Sequence, residues 1–142
     1  MNTIVKTIAV PSLMKRAGLC PTQQRLALAS LLFRGHDRHV TAEQLHGEAQ
    51  AETIKVSLAT IYNTLHQFTE AGLLREVVVE PGRSYFDTNT TDHHHFYCES
   101  DGHLEDIPGD LVNLTSVPTP PEGMMINRVE VIIRIGPAAD RV

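Results

Sequence analysis

Between Thr22 and Gly72 the sequence spells out three helices with almost no chain left to join them, and that spacing restricts the fold more than any other feature. Thr22 reads as the N-cap of a helix from Gln23 to Arg34, with Leu26, Ala29, Leu32 and Phe33 as its apolar face and Gly35 as its stop. Thr41-Ala42-Glu43-Gln44 has the spacing of a capping box, and it opens a second helix to about Ala51 with Ala42, Leu45 and Ala49 inward. After a turn through Thr53, Ile54 and Lys55, Ser57 caps a third helix, Leu58 to Ala71. A shorter helix, Pro11 to Ala17, precedes them and carries Lys15 and Arg16. Helices joined this tightly predict a helix-turn-helix.

The third helix is the informative one. Leu58, Ile61, Leu65 and Phe68 recur at i, i+3, i+7 and i+10 and predict one buried stripe. Ser57, Thr60, Asn63, Thr64 and Gln67 share the other side, together with Tyr62, and that face is polar but nearly uncharged. A solvated helix usually carries Glu and Lys there, whereas small hydroxyls, amides and a phenol suit hydrogen bonding to base edges and contact with thymine methyl groups. Leu74 to Val79 and Arg83 to Phe86 then read as two strands around Pro81-Gly82. Helix-turn-helix plus hairpin is a winged helix, with Arg83 on the wing to reach phosphate or the minor groove.

Charge divides the chain in the same place. Residues 1 to 86 carry nine Lys/Arg against seven Asp/Glu, and residues 87 to 142 carry three against ten, so the net charge of −5 splits into +2 and −7. A mildly basic front suits phosphate and an acidic back suits cations. The acidic half contains Asp92-His93-His94-His95-Phe96-Tyr97-Cys98, a concentration of nitrogen and sulfur donors that signals metal or haem binding. Strand geometry would put His93 and His95 on one face and His94 on the other. Asn127 to Ile135 alternates, with Val129, Val131, Ile133 and Ile135 on one side, and predicts a strand. With strands near 94 to 98 and 103 to 107 it predicts a three-stranded antiparallel sheet, and Asp110 to Leu114 predicts one or two helical turns. The expected class is α+β, a winged helix-turn-helix domain over residues 1–86 followed by a small α/β dimerisation domain with an antiparallel sheet over 87–142. Pairing two such sheets gives a symmetric homodimer, which fits a palindromic double-stranded DNA operator. No apolar run approaches the roughly 18 residues of a membrane span and the N-terminus lacks a signal-peptide pattern, so no membrane association and a cytoplasmic location are expected.

Thr22-Gln23-Gln24-Arg25, His39-Val40-Thr41-Ala42, Val56-Ser57-Leu58-Ala59-Thr60-Ile61-Tyr62, Ala71-Gly72-Leu73, Tyr85-Phe86-Asp87 and Asp92-His93-His94-His95 resemble the ferric uptake regulator superfamily in order and spacing. Ser57 to Leu74 and the run from Tyr85 to Tyr97 look most like its iron response regulator branch, whose members respond to haem. The resemblance implies a dimeric DNA-binding regulator of iron and haem homeostasis, not an enzyme. It implies that Tyr62 contacts bases, that Ser57 and Thr60 lie near the DNA backbone beside Asn63, and that Lys15 and Arg25 assist at phosphates. It also implies a divalent-metal site (iron, manganese or zinc) of His39, Asp87, His93, His95 and Asp106, through which metal would turn the DNA-binding domain against the dimer core. Haem would take His93, His94 or His95, and Cys20-Pro21, which resembles the short Cys-Pro haem-regulatory motif, adds Cys20. Haem-delivering or haem-synthesis proteins are further partners in that reading.

Where many relatives hold structural zinc with Cys-x-x-Cys pairs, this chain has Cys98-Glu99-Ser100-Asp101 and no second pair, so a four-thiolate site is not possible within one chain and Cys98 is expected to be a packed strand residue. The same five metal ligands suit a peroxide sensor or a manganese- or iron-responsive regulator equally well. A metal-dependent hydrolase would need an open coordination position and a supporting base, and would leave the polar helix and the wing without a purpose.

Overall fold

Each long helix of the first unit begins at the hydroxyl that the sequence supplies. Thr22 Oγ1 accepts from the Arg25 N–H at 3.2 Å, and Ser57 Oγ accepts from the Thr60 N–H at 3.1 Å. Thr41 forms the full capping box, its Oγ1 accepting from the Gln44 N–H at 3.1 Å while Gln44 Oε1 accepts from the Thr41 N–H at 2.9 Å. These caps start α2 (Gln23–Leu32), α3 (Ala42–Ala51) and α4 (Leu58–Glu70), which follow a short α1 (Val10–Arg16). Helix α2 stops two residues before the expected Arg34, because Phe33 turns out of helical geometry and donates its N–H to Ala29 O as the C-cap.

The structure, a computed structural model, describes residues 10–138. It divides into two units, Met1–Thr91 and Asp92–Val142. The sequence reading placed the division between Phe86 and Asp87, inside what is a continuous strand, so Asp87 goes with the first unit.

In the first unit Leu28, Leu32, Leu45, Ile61, Leu65 and Phe68 form the centre of one apolar core. Thr64, expected on the outer face of α4, is buried instead. Ile61, Thr64, Leu65 and Phe68 occupy i, i+3, i+4 and i+7, the inward stripe of a 3.6-residue helix. Strands β2 (Arg75–Glu80) and β3 (Arg83–Asp87) form the predicted hairpin, its turn at Gly82 in the left-handed region (φ 74) that glycine adopts without strain. A two-residue strand, β1 (His39–Val40), pairs antiparallel with β3 and gives the order β1-β3-β2. It is too short for an alternation to register in the sequence.

The second unit is a sheet of β4 (His93–Cys98), β5 (Leu104–Pro108) and β6 (Ile132–Ile135), in the order β5-β4-β6. Strands β4 and β5 are antiparallel, but β6 pairs with β4 in parallel, so the expected all-antiparallel sheet is corrected to a mixed one. The cause is the connection. Residues 109–131 run through a single 3₁₀ turn, Gly109–Leu111, in place of the helical turns expected to Leu114, and then through Pro118, Pro120 and Pro121. Strand β5 already ends beside the start of β4, with Pro108 opposite His93, and the link carries the chain from there to the far edge of β4, where β6 sets out from the same end and so runs parallel to β4. Only the last four residues of the predicted strand 127–135 are strand, since Val131 is engaged by β4 at the point where pairing begins. Leu111, Leu114, Met124, Met125, Ile126 and Ile133 are exposed. Among the described residues no helix is long and apolar enough to cross a membrane.

Candidate metal centre and nucleic-acid interface

Alternation along β4 sorts the three adjacent histidines. His93 and His95 point to one face and are buried to 4% and 1% exposure. Their rings meet edge to face with centroids 4.6 Å apart. Asp106 is the direct antiparallel partner of His95 on β5, and its Oδ1 lies 3.3 Å from His95 Nε2 and 3.7 Å from His93 Nε2. Ligands bound at about 2.1–2.2 Å around one divalent ion stand roughly 3.0–3.6 Å apart, so Asp106 and His95 already have the spacing of neighbours in a coordination shell and His93 stands just beyond it. Two imidazoles and a carboxylate suit zinc, iron or manganese.

His94 points the other way and has a different task. Its Nδ1 accepts the Val131 N–H at 3.0 Å. A neutral imidazole has one ring lone pair, which this bond uses, so His94 is not placed to ligate metal or haem while β6 is in position.

The remaining two predicted metal ligands belong to the first unit and face each other across β1 and β3, His39 being the Cα partner of Asp87. The His39 ring packs edge-on against Tyr85 at 5.8 Å. Asp87 is fully buried, and its Oδ1 accepts from the Asn89 N–H at 2.9 Å. Arg38 and Thr88 brace this pair: the Arg38 N–H donates to Thr88 Oγ1 and the Thr88 N–H to Arg38 O, each at 2.9 Å. The Arg38 guanidinium is bidentate on Glu48 and also donates to Leu31 O at 3.1 Å. Sequence reasoning missed this brace because Arg38 and Glu48 show no pattern until α3 is packed.

On α4, Asn63 and Gln67 are exposed and Thr60 is half-buried. Tyr62 donates its hydroxyl proton to Glu43 Oε2 at 2.8 Å and stacks on His66. The hydrogen bond to Glu43, with a lesser contribution from desolvation, raises the Tyr62 hydroxyl above its ordinary value. Ser57 is engaged in its cap. Arg25 is tied down as well, donating to Cys20 O at 2.9 Å and to Gln67 Oε1 at 3.0 Å, so it braces α2 against α4. Lys15 and Arg83 are exposed, and Cys20 is an exposed free thiol.

A further cluster that sequence reasoning missed lies in the turn between β4 and β5. Cys98, Asp101 and His103 each offer a donor atom there, all within 4.8 Å of one another. The His103 N–H, then the Cys98 thiol and the His103 ring, hold the Asp101 carboxyl down at about 2.

Comparison with known proteins converges on one family. The profile of the ferric uptake regulator family matches residues 16–133. The peroxide-responsive repressor PerR of Staphylococcus aureus is 34% identical over 94 residues, which is 66% of this chain and 63% of that protein. Its counterpart in Staphylococcus epidermidis is also 34% identical, over 62% of its length, so the match spans somewhat less than two thirds of these relatives. Among solved structures, the Vibrio cholerae ferric uptake regulator superposes with a TM-score of 0.71 at 24% identity, covering 90% of this chain and 99% of that one. The manganese-containing Pseudomonas aeruginosa ferric uptake regulator gives 0.67 at 22% identity, covering 89% and 96%.

Proposed function

This chain belongs to the ferric uptake regulator family, whose members are transcription regulators and not enzymes, and on that footing we propose that it is a dimeric repressor acting in the cytoplasm, its affinity for a palindromic operator set by a divalent metal. The observation that carries the reading is the triad of His93, His95 and Asp106, two buried imidazoles aimed at one carboxylate oxygen. His39 and Asp87 are part of the proposed ligand set on the sequence resemblance alone. The exposed apolar residues from Leu111 to Ile133 support a second copy as the partner of the β4–β6 unit. Asn63, Thr60, Lys15 and Arg83 supply the proposed DNA contacts, with Tyr62, Arg25 and Ser57 holding the recognition helix in its geometry.

Iron bound at a pair of histidines can report peroxide, and the PerR relatives favour that effector over others. The haem-responsive, iron response regulator reading rests on fewer available groups. His93 and His95 are buried and His94 is committed to Val131, which leaves Cys20 as the accessible candidate. The test is binding to a labelled operator at fixed salt, with metal-stripped protein, before and after manganese or ferrous iron is added. Metal should tighten binding about 5- to 150-fold. The His95→Ala variant should bind as the metal-free protein does and ignore metal, and an undiminished metal response in that variant would overturn the reading.

A further inference from the structure

The contacts that hold Tyr62 in place also decide what its hydroxyl can do. Its ring stacks on His66, one turn along α4, with centroids 6.5 Å apart and planes inclined by 21°. His66 in turn rests edge-on against Phe86 of β3 at 5.4 Å, with its Nδ1 3.9 Å from Glu76 Oε1 on β2. The Tyr62 hydroxyl donates to Glu43 Oε2 at 2.8 Å, which links α4 to the first turn of α3. A phenol has one proton to give, and this one is given to Glu43, so its oxygen keeps only the capacity to accept. A carboxylate offers acceptor sites alone, and the single bond from Tyr62 leaves others open. Glu43 is exposed at the start of the first helix of the helix-turn-helix, the element that crosses the DNA backbone in such motifs. A negative charge there opposes phosphate, and it favours only a base edge that donates.

From this geometry we infer that Glu43 is a specificity-determining residue: with the Tyr62 oxygen it forms a pair of acceptors that reads an exocyclic amino group in the major groove, N6 of adenine or N4 of cytosine. The inference rests on the proposed reading of α4 as the helix that enters the groove. Each base pair presents one amino and one keto group at that edge. Adenine N6 and cytosine N4 donate, whereas thymine O4 and guanine O6 accept. An acceptor pair therefore separates adenine or cytosine from guanine or thymine on one strand. A phenol free to turn its proton would donate or accept as the base required and would make no such distinction. A keto oxygen set against the pair faces acceptor with acceptor and leaves desolvated lone pairs unmatched, which is where a wrong base is costly. Asn63, the next exposed side chain of α4, carries a donor and an acceptor together and is not restricted in this way.

The probe is a pool of DNA duplexes with a randomised core, selected at fixed salt by the full chain loaded with manganese. Sequencing the bound fraction gives the base preference at each position for wild type, Glu43→Ala, Tyr62→Phe and the double variant. Wild type should show a position where adenine or cytosine is preferred over guanine or thymine by roughly 5- to 150-fold, the worth of one matched base pair, and the base found there identifies which amino group is read. Glu43→Ala should lower that ratio by at least about fivefold at that position. Tyr62→Phe should lower it at the same position, and the double variant should lose no more than the worse single, because the two groups act as one unit. Binding of Glu43→Ala to non-specific DNA should be tighter than that of wild type, since a negative charge has gone, and this separates lost selectivity from a lost fold. An unchanged ratio in Glu43→Ala, a loss at a position that Tyr62→Phe leaves alone, or binding weakened by one factor on every sequence would overturn the inference and leave the regulatory function standing. A wild type with no base preference at any position would overturn both.

Discussion

Replacing His94 and His95 one at a time by alanine separates neighbouring histidines that composition treats alike. His95→Ala deletes a proposed ligand 3.3 Å from Asp106 Oδ1. His94→Ala deletes the acceptor of the Val131 N–H and leaves the other face of β4 untouched. At manganese fixed at a hundred times the wild-type Kd, binding to the native state alone adds about 2.7 kcal/mol to stability. A tenfold loss of affinity at the same concentration lowers that gain to about 1.4 kcal/mol, and a hundredfold loss lowers it to about 0.4 kcal/mol. His95→Ala should fall in that lower range, since ligand loss costs at least the 10–100-fold seen for outer-shell groups. His94→Ala should keep the full gain while losing about 0.5–1.5 kcal/mol of metal-free stability, the net value of one hydrogen bond to a half-buried N–H.

The assay is urea unfolding of metal-stripped protein with and without manganese, run on wild type and both variants. The readable quantity is the metal-induced shift in midpoint, which cancels whatever each substitution does to the apo protein. If His94→Ala abolishes the shift and His95→Ala retains it, the assignment of roles along β4 is wrong.

Two further outcomes follow from other parts of the chain. Arg83→Ala at the exposed start of β3 should weaken specific and non-specific DNA binding alike and reduce the slope of log affinity against log salt by about one; an unchanged slope would remove the wing from the phosphate contacts. Arg38→Met breaks a half-exposed pair with Glu48 and strips a donor from Leu31 O, so after discounting for solvent screening it should destabilise the first unit by about 1–2 kcal/mol, seen as a lower urea midpoint, and an unchanged midpoint would show that the brace carries no stability.

The helical half was legible because its signals are local. Thr22, Thr41 and Ser57 each cap within three residues of themselves, so sequence order contains the whole interaction. Thr64 was misplaced because a hydroxyl looks the same in sequence whether it faces DNA or core, and only the i+3 and i+4 contacts with Ile61 and Phe68 decide it. What was not legible depends on pairs distant in sequence. The two-residue strand β1, the Arg25–Gln67 brace and the Arg38–Thr88 bridge exist only once α2, α4 and β3 have packed. The direction of β6 failed for the same reason, since alternation reports which face a residue takes and says nothing about which way the strand runs.

That parallel return of β6 changes what the histidine run does. Val131 is gripped twice by β4, its carbonyl accepting the His95 N–H at 3.2 Å and its N–H donating to His94 Nδ1 at 3.0 Å. The side chain of His95 meanwhile faces Asp106 on β5. A metal held by His93, His95 and Asp106 therefore cross-links β4 to β5 on one side, and it stiffens the residue whose backbone anchors the entry to β6 on the other. Strand β6 carries exposed Ile133, and the segment before it carries Met124, Met125 and Ile126, so the element fixed through Val131 is the one that presents apolar surface. Metal occupancy and self-association should for that reason be coupled through β4. His94→Ala should weaken the coupling: sedimentation with and without manganese should show metal tightening the dimer by a smaller factor in that variant than in wild type, and equal factors would place the coupling elsewhere.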